Sequence, residues 1–397
     1  MLSFILLLAC SYLVTATASG VCEIDISYND GDLKLPQPLV LTSDSNEFFY
    51  PNTGKQSTLV LETGKSIALA CPGAGNLIVD TKVQLATATC EEDKYFTING
   101  ISRNFSTIVC KARPAISANT LKQKCLQKYT SVAIGFEFQK KFLTTIEVCR
   151  DDQTYETYYT KFKLTKKIGH YQESSRPKNW LTGQYFKGMQ LEKLYNLENQ
   201  RTSINRILNV SDITKFVNES MYLSRGHLAA RSDFVYSNQH YSTFHYLNAE
   251  PQWTTFNGGN WKTLEENVRS FSARNSLDLE VYTGVHGQMT MKDSAGLSKS
   301  IELNYEGSKP LSVPRFFWKI IYDPASKKGT AFVGLNDPFI TAITQDVYLC
   351  KNRIESKIKW LTWSKELRAG ASYACSVSEL RTKISTIPPL NVVGDLI

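Results

Sequence analysis

Ser224-Arg225-Gly226-His227-Leu228 opens a stretch that continues through Asn248-Ala249-Glu250-Pro251-Gln252 and Phe256-Asn257-Gly258-Gly259-Asn260-Trp261. It ends at Lys262-Thr263-Leu264-Glu265-Glu266-Asn267-Val268-Arg269. Asn257-Gly258-Gly259 reads as a flexible turn feeding a helix that begins near Asn260 or Trp261. The glycines admit open backbone angles, and Trp261 to Phe271 holds neither Gly nor Pro. Asn257, Trp261, Glu265 and Arg269 recur every four residues, so the spacing predicts one shared helix face. An amide oxygen, a carboxylate and a guanidinium on one surface suit a hard divalent cation and a phosphate. Mg²⁺ takes oxygen ligands and keeps several waters, and Arg holds phosphate oxygens as a fork. His227 is the candidate base, since an imidazole with an ordinary pKa of about 6.5 accepts a proton from water near neutral pH. Gly226 lets backbone approach closely, and Arg225 adds a second phosphate clamp.

These residues resemble the DNA/RNA non-specific endonucleases, nucleases with a ββα-metal site, and among them the secreted arthropod members. The resemblance rests on Arg225 to Leu228, Asn248 to Gln252 and Asn257 to Glu265, and it covers the chain from about residue 151 onward. It implies a catalytic set of His227 as general base, Arg225 on phosphate, Asn248 orienting the site and Glu265 holding metal-bound water. Asn257 would be the direct ligand of one Mg²⁺ or Mn²⁺, and Arg225, Arg269 and Gln252 would contact substrate. One departure stands out: the family motif often reads Asp-Arg-Gly-His, and Ser224 occupies the Asp position. The implied activity is metal-dependent hydrolysis of DNA and RNA without sequence preference, with no nucleotide cofactor and no membrane partner. The competing reading is a DNA- or RNA-binding protein that keeps the groove but cleaves only residually, because Ser224 supplies no carboxylate.

Working outward, Leu2 to Val14 is nearly all apolar and is followed by Thr15-Ala16-Thr17-Ala18-Ser19-Gly20, which reads as a secretory signal over residues 1–20. That run is too short for a membrane span. Nine cysteines are present, and removal of Cys10 with the signal leaves an even number, which in an exported chain implies disulfides. The simplest pairing is three bridges among Cys22, Cys71, Cys90, Cys110, Cys125 and Cys149, with Cys350 to Cys375 closing a later loop. Zinc is disfavoured, because no CxxC occurs. Asn104, Asn209 and Asn218 head glycosylation triplets.

With 42% hydrophobic and 21% charged residues the chain can bury a sizeable core, which excludes global disorder. A formal net charge of +8 favours polyanionic partners, and alone would fit nucleic acid, anionic glycan or anionic membrane equally. Residues 21–150 alternate in short β-like runs punctuated by Asn29-Asp30-Gly31, Pro36-Gln37-Pro38 and a hairpin turn at Asn99-Gly100. They read as a disulfide-stapled, β-rich module preceding an endonuclease-like domain at 151–397.

Tyr155 to Ile168 is either a strand presenting Lys161, Lys163, Lys166 and Lys167 to phosphates or an edge strand protected by them. Gln190 to Leu208 reads as one helix, while Leu277 to Gly284, Arg315 to Tyr322 and Thr330 to Leu335 read as strands. The class is therefore α+β with a mixed or antiparallel sheet. His240 and His245 lack a third ligand for zinc and read as core or surface residues, and no G-x-S-x-G elbow supports Ser224 or Ser232 as a nucleophile.

Overall fold

The computed structural model describes residues 20–52 and 57–397, so the expected signal peptide and Cys10 lie outside the described residues. Its centre is an eight-stranded antiparallel sheet. The strand order is Ser372–Cys375, Lys328–Leu335, Pro314–Asp323, Leu279–Gln288, Thr157–Leu164, Lys141–Arg150, Thr130–Phe138 and Ser117–Thr120. Period-two alternation divides the strand Pro314–Asp323 between two cores: Phe317 and Ile321 enter one, Phe316, Trp318 and Ile320 the other. Both faces of this strand are thus covered, which accounts for its nearly continuous apolar run. The class is α+β, as the sequence implied.

The boundary expected at residue 150 falls inside this sheet. Strands Ser117–Thr120, Thr130–Phe138 and Lys141–Arg150 pair onward into Thr157–Leu164, with Cys149 opposite Tyr159. Short alternating strands look alike in sequence whichever sheet they join, so composition gave no sign of the continuity. Residues before 117 form a separate five-stranded sheet of Leu39–Leu41, Ser66–Ala70, Leu85–Glu92, Tyr95–Ile98 and Ile101–Asn104, beside the pair Val21–Asp25 and Thr58–Glu62. Asn99 and Gly100 make the expected two-residue hairpin, both with positive φ, of 52° and 76°. Disulfides join Cys22 to Cys90, Cys71 to Cys110, Cys125 to Cys149 and Cys350 to Cys375, the grouping the spacing suggested. Among the described residues no helix is long and apolar enough to cross a membrane.

Two other expectations change. Thr157–Leu164 lies between two neighbours, so its lysines guard no edge; Lys161 instead pairs with Glu280 at 3.0 Å. Gln190 to Leu208 is broken into Leu191–Leu194 and Leu197–Leu208, because the Asn196 side chain caps the second helix by accepting from the Glu198 amide at 3.0 Å.

The helix at the decisive stretch starts earlier than its glycines suggested. A helical turn at Thr254–Phe256 leads into a π-helical segment, Asn257–Trp261, and then the site helix Lys262–Arg274. The glycine pair therefore kinks a helix rather than preceding one, and Gly259 carries the kink at φ −96° and ψ −123°. The wider turn shifts the phase of the four-residue repeat. Trp261 consequently leaves the face that holds Asn257 and Glu265. It is 1% exposed and packs on Phe256 and Phe317, with ring centroids 5.5 and 5.6 Å away. A Cβ at Gly259 would stand 2.6 Å from the Ala369 carbonyl oxygen. Gly259→Ala should therefore destabilise the fold by about 1–3 kcal/mol, read as a lower urea midpoint; an unchanged midpoint would mean that the kink has slack.

Candidate active site

A hairpin formed by Leu223–His227 and Ala249–Trp253 lies against the kinked helix, with Ser224 opposite Gln252, Gly226 opposite Glu250 and His227 opposite Ala249. The Ser224 hydroxyl ties the two together, donating to the Gln252 carbonyl at 2.8 Å and accepting from the Asn257 amide nitrogen at 2.9 Å. That bond fixes the Asn257 amide so that its oxygen is the group left to ligate or accept. His227, Asn257, Glu265, Arg225 and Arg269 line one groove of about 610 Å³.

Asn248 and Gln252 do not line it. Asn248 is fully buried and makes three bonds of 2.8–2.9 Å: its oxygen accepts from the Ala229 amide, and its nitrogen donates to the carbonyls of Ala229 and Thr243. It holds in place the chain that leaves His227 and touches nothing in the groove. Gln252, expected on substrate, is also fully buried. A Cβ at Gly226 would come within 2.4 Å of its amide oxygen, so the space that glycine opens is filled from beneath by Gln252.

The His227 ring is wedged between aromatic neighbours, 4.7 Å from Trp180 and 4.9 Å from Phe244, and its Nε2 is buried without a partner. Burial, then the charges of Arg176 and Arg231, push its pKa down to about 3, so the imidazole is neutral throughout the ordinary pH range. Arg225 is pinned by a 2.9 Å bond from Nε to the Tyr246 hydroxyl, its guanidinium packed on the rings of Tyr195, Tyr246 and Trp180.

Beneath the groove four charged groups meet. Arg269 donates to Asp233 at 2.9 Å, and the Lys319 ammonium, 1% exposed, donates to the Thr283 hydroxyl at 2.6 Å. Burial lifts the Glu265 pKa to about 7, opposed by Lys319 and Arg269 and reinforced by Asp233. Burial also lowers the Lys319 ammonium, against the pull of Asp233 and Glu265. In Arg269 those same two carboxylates outweigh burial and raise it.

The donor set fits a hydrated hard cation. Among the described residues no three His, Cys, Asp or Glu side chains converge as metal ligands, which disfavours zinc, whereas one amide oxygen with a nearby carboxylate is what a cation that keeps its waters requires. The sequence reading missed Arg176, Trp180, Arg231, Asp233 and Lys319. Arg231 and Asp233 follow His227 closely and could have been suspected. Trp180 and Lys319 arrive from distant elements, and no spacing links them to the motif.

A ββ-hairpin and a helix that bring an imidazole, a side-chain amide and four arginines to one groove are the arrangement of a ββα-metal nuclease fold. The chain belongs to the DNA/RNA non-specific endonuclease family, whose sequence profile matches residues 128–380. It is 28% identical over 285 residues to a salivary endonuclease of Lutzomyia longipalpis, an alignment covering 70% of this chain and 63% of that protein, so it spans under two thirds of that relative. Salivary protein Tsal2A of Glossina morsitans morsitans is 22% identical over 381 residues, 93% of this chain and 92% of that one. Salivary protein Tsal1 of the same fly is 20% identical over 376 residues, 90% and 92% of the two chains.

His240 and His245 are core residues. The His240 Nε2–H donates to the Phe234 carbonyl at 2.8 Å, and its Nδ1 accepts from the Ser174 hydroxyl at 2.7 Å. Burial pushes its pKa down to about 4. Between pH 6.5 and 4 the unfolded chain binds a proton here that the folded chain refuses. The stabilising contribution is therefore complete above about pH 6.5 and is lost as the pH falls toward 4. The unfolding free energy of the wild type, measured against His240→Gln, should drop by roughly 3 kcal/mol from pH 7 to 4; a pH-independent difference would contradict this.

Proposed function

We propose that the protein is a secreted endonuclease that hydrolyses phosphodiester bonds in DNA and RNA without sequence preference, with Mg²⁺ or Mn²⁺ as its cofactor. The observation that carries this reading is the single groove shared by the neutral imidazole of His227 and the oriented amide of Asn257, flanked by Arg176, Arg225, Arg231 and Arg269. Asn257 would hold the cation, with Glu265 on its hydration shell, and the cation would offset the charge that builds on the phosphate and the departing O3′. Nε2 of His227 is enclosed, so Nδ1 is the nitrogen that takes the proton of the attacking water. Arg225, already immobilised, clamps a phosphate oxygen without having to be ordered in the transition state. Asn248 keeps the imidazole in register from below. Recognition through phosphates is sequence-tolerant and weakens steeply with salt. Export is supported by the four disulfides and by relatives named as salivary proteins.

Ser224 in the place of an Asp favours a second reading, a nucleic-acid-binding protein with residual cleavage. Against it, the Ser224 hydroxyl already supplies an acceptor that orients Asn257.

Plasmid nicking with Mg²⁺ and with chelator, run beside a mobility shift, separates the two. Wild type should nick only with the metal, and His227→Ala should lose about 10²-fold or more in rate while still shifting duplex. Nicking that survives intact in His227→Ala would remove the enzymatic reading. A duplex shift with no metal-dependent nicking in the wild type would favour the binding protein. Ser224→Ala frees the Asn257 amide to rotate and should raise the Mg²⁺ concentration for half-maximal nicking about tenfold, equivalent to one lost hydrogen bond of about 1.4 kcal/mol. An unchanged Mg²⁺ dependence would show that Asn257 is oriented by something else.

A further inference from the structure

The groove does not end at Arg269. Glu266 and Arg269 also line a second concavity of about 430 Å³, walled by Ile168, Gly169, Tyr171 and Ala273. Ser270 and Arg274 pass from that one into a third, of about 470 Å³, whose other wall carries Lys357, Lys359 and Trp360. The three hollows therefore adjoin, passing from one flank of the site helix across its exposed face to the other. From Glu265 to Arg274 the helix rises about 14 Å at 1.5 Å per residue. At 3.4 Å per nucleotide of one strand this is roughly four steps of a nucleic-acid backbone.

The far end of this path is built by the C-terminal segment. Asn267 accepts from the Thr362 amide at 2.9 Å, Asn260 donates to the carbonyls of Ser364 and Gly370, and the Trp363 indole donates to the Asn260 carbonyl at 3.0 Å. Trp360 stacks on Phe271 of the site helix at 4.7 Å. These contacts set Lys357 and Lys359 beside Arg274, which is far from them in sequence. Arg274, Lys357 and Lys359 are exposed, and among the described residues none of them forms an ion pair. The one acidic side chain lining the second and third hollows is Glu266, which already faces Lys262 at 3.7 Å.

We propose that Arg269, Arg274, Lys357 and Lys359 form a phosphate track that carries one nucleic-acid strand away from the cut along the site helix. This rests on the nuclease reading of the groove and extends it to substrate length. A strand reaching past about four nucleotides on this side gains up to three further phosphate contacts. A short substrate gains none.

The test is a triple variant, Arg274→Ser with Lys357→Ser and Lys359→Ser, compared with a control that removes the same charge elsewhere, Lys65→Ser with Lys111→Ser and Lys122→Ser. Fluorescent duplexes of six and thirty base pairs are bound to the full chain in chelator across a salt series, and nicking is followed with Mg²⁺. For the long duplex, binding by the track variant should weaken about 10- to 100-fold, and the slope of log affinity against log salt should shrink by about two to three. Binding of the six-base-pair duplex should stay within about twofold, and the control should match the wild type. Equal loss on both duplexes, equal loss in the control, or no loss would each overturn the track while wild-type cleavage left the nuclease reading standing. A wild type that neither binds nor nicks nucleic acid would overturn both.

Discussion

One hydroxyl joins the two halves of the site. Ser224 ends one bond on the hairpin backbone and another on the Asn257 side chain, so the strand that carries His227 and the helix that carries the amide cannot drift apart. The proposed chemistry of the groove depends on that separation. An imidazole and an amide oxygen act on one phosphate only if they sit within a few ångströms of their positions in the transition state. The sheet supplies the rigidity behind it, because Trp261 and Phe256 press onto Phe317 in a strand covered on both faces. The kink at Gly259 lets those aromatics point into the core while Asn257 stays at the surface.

The charges beneath the groove follow from the same packing. Asp233, Glu265, Arg269 and Lys319 come from three separate parts of the fold, and burial would make each costly alone. Together they neutralise one another in part, and the balance leaves Glu265 with a pKa near neutrality and Arg269 firmly charged. His227 experiences the opposite influence: aromatic rings and the cations Arg176 and Arg231 keep it free of a proton. The same arginines that make the groove wall cationic thus help to keep the His227 imidazole unprotonated.

The motif residues were readable in the sequence because their spacing is local. His227, Asn257, Glu265 and Arg269 do share one groove. The errors came where a local rule was extended across an irregularity. The four-residue repeat failed at Trp261 because a π-helical turn holds more residues than an α-helical one. Gln252 looked like part of the motif, but both faces of the strand Ala249–Trp253 are covered, and this residue is enclosed beneath Gly226. The boundary at residue 150 failed because strands of one sheet need not be distinguishable from strands of the next.

The amino-acid order alone determined the α+β class and the grouping of the cysteines, and it singled out His227, Asn257 and Glu265 as neighbours in one groove, because each is encoded by residues a few positions apart. The tertiary structure decided the rest. Trp180, Lys319, Lys357 and Lys359 reach the site helix and its groove only after the sheet has closed and the C-terminal segment has bonded to Asn260 and Asn267. Hydrophobic burial and hydrogen bonding between distant segments, which no sequence period records, set those positions.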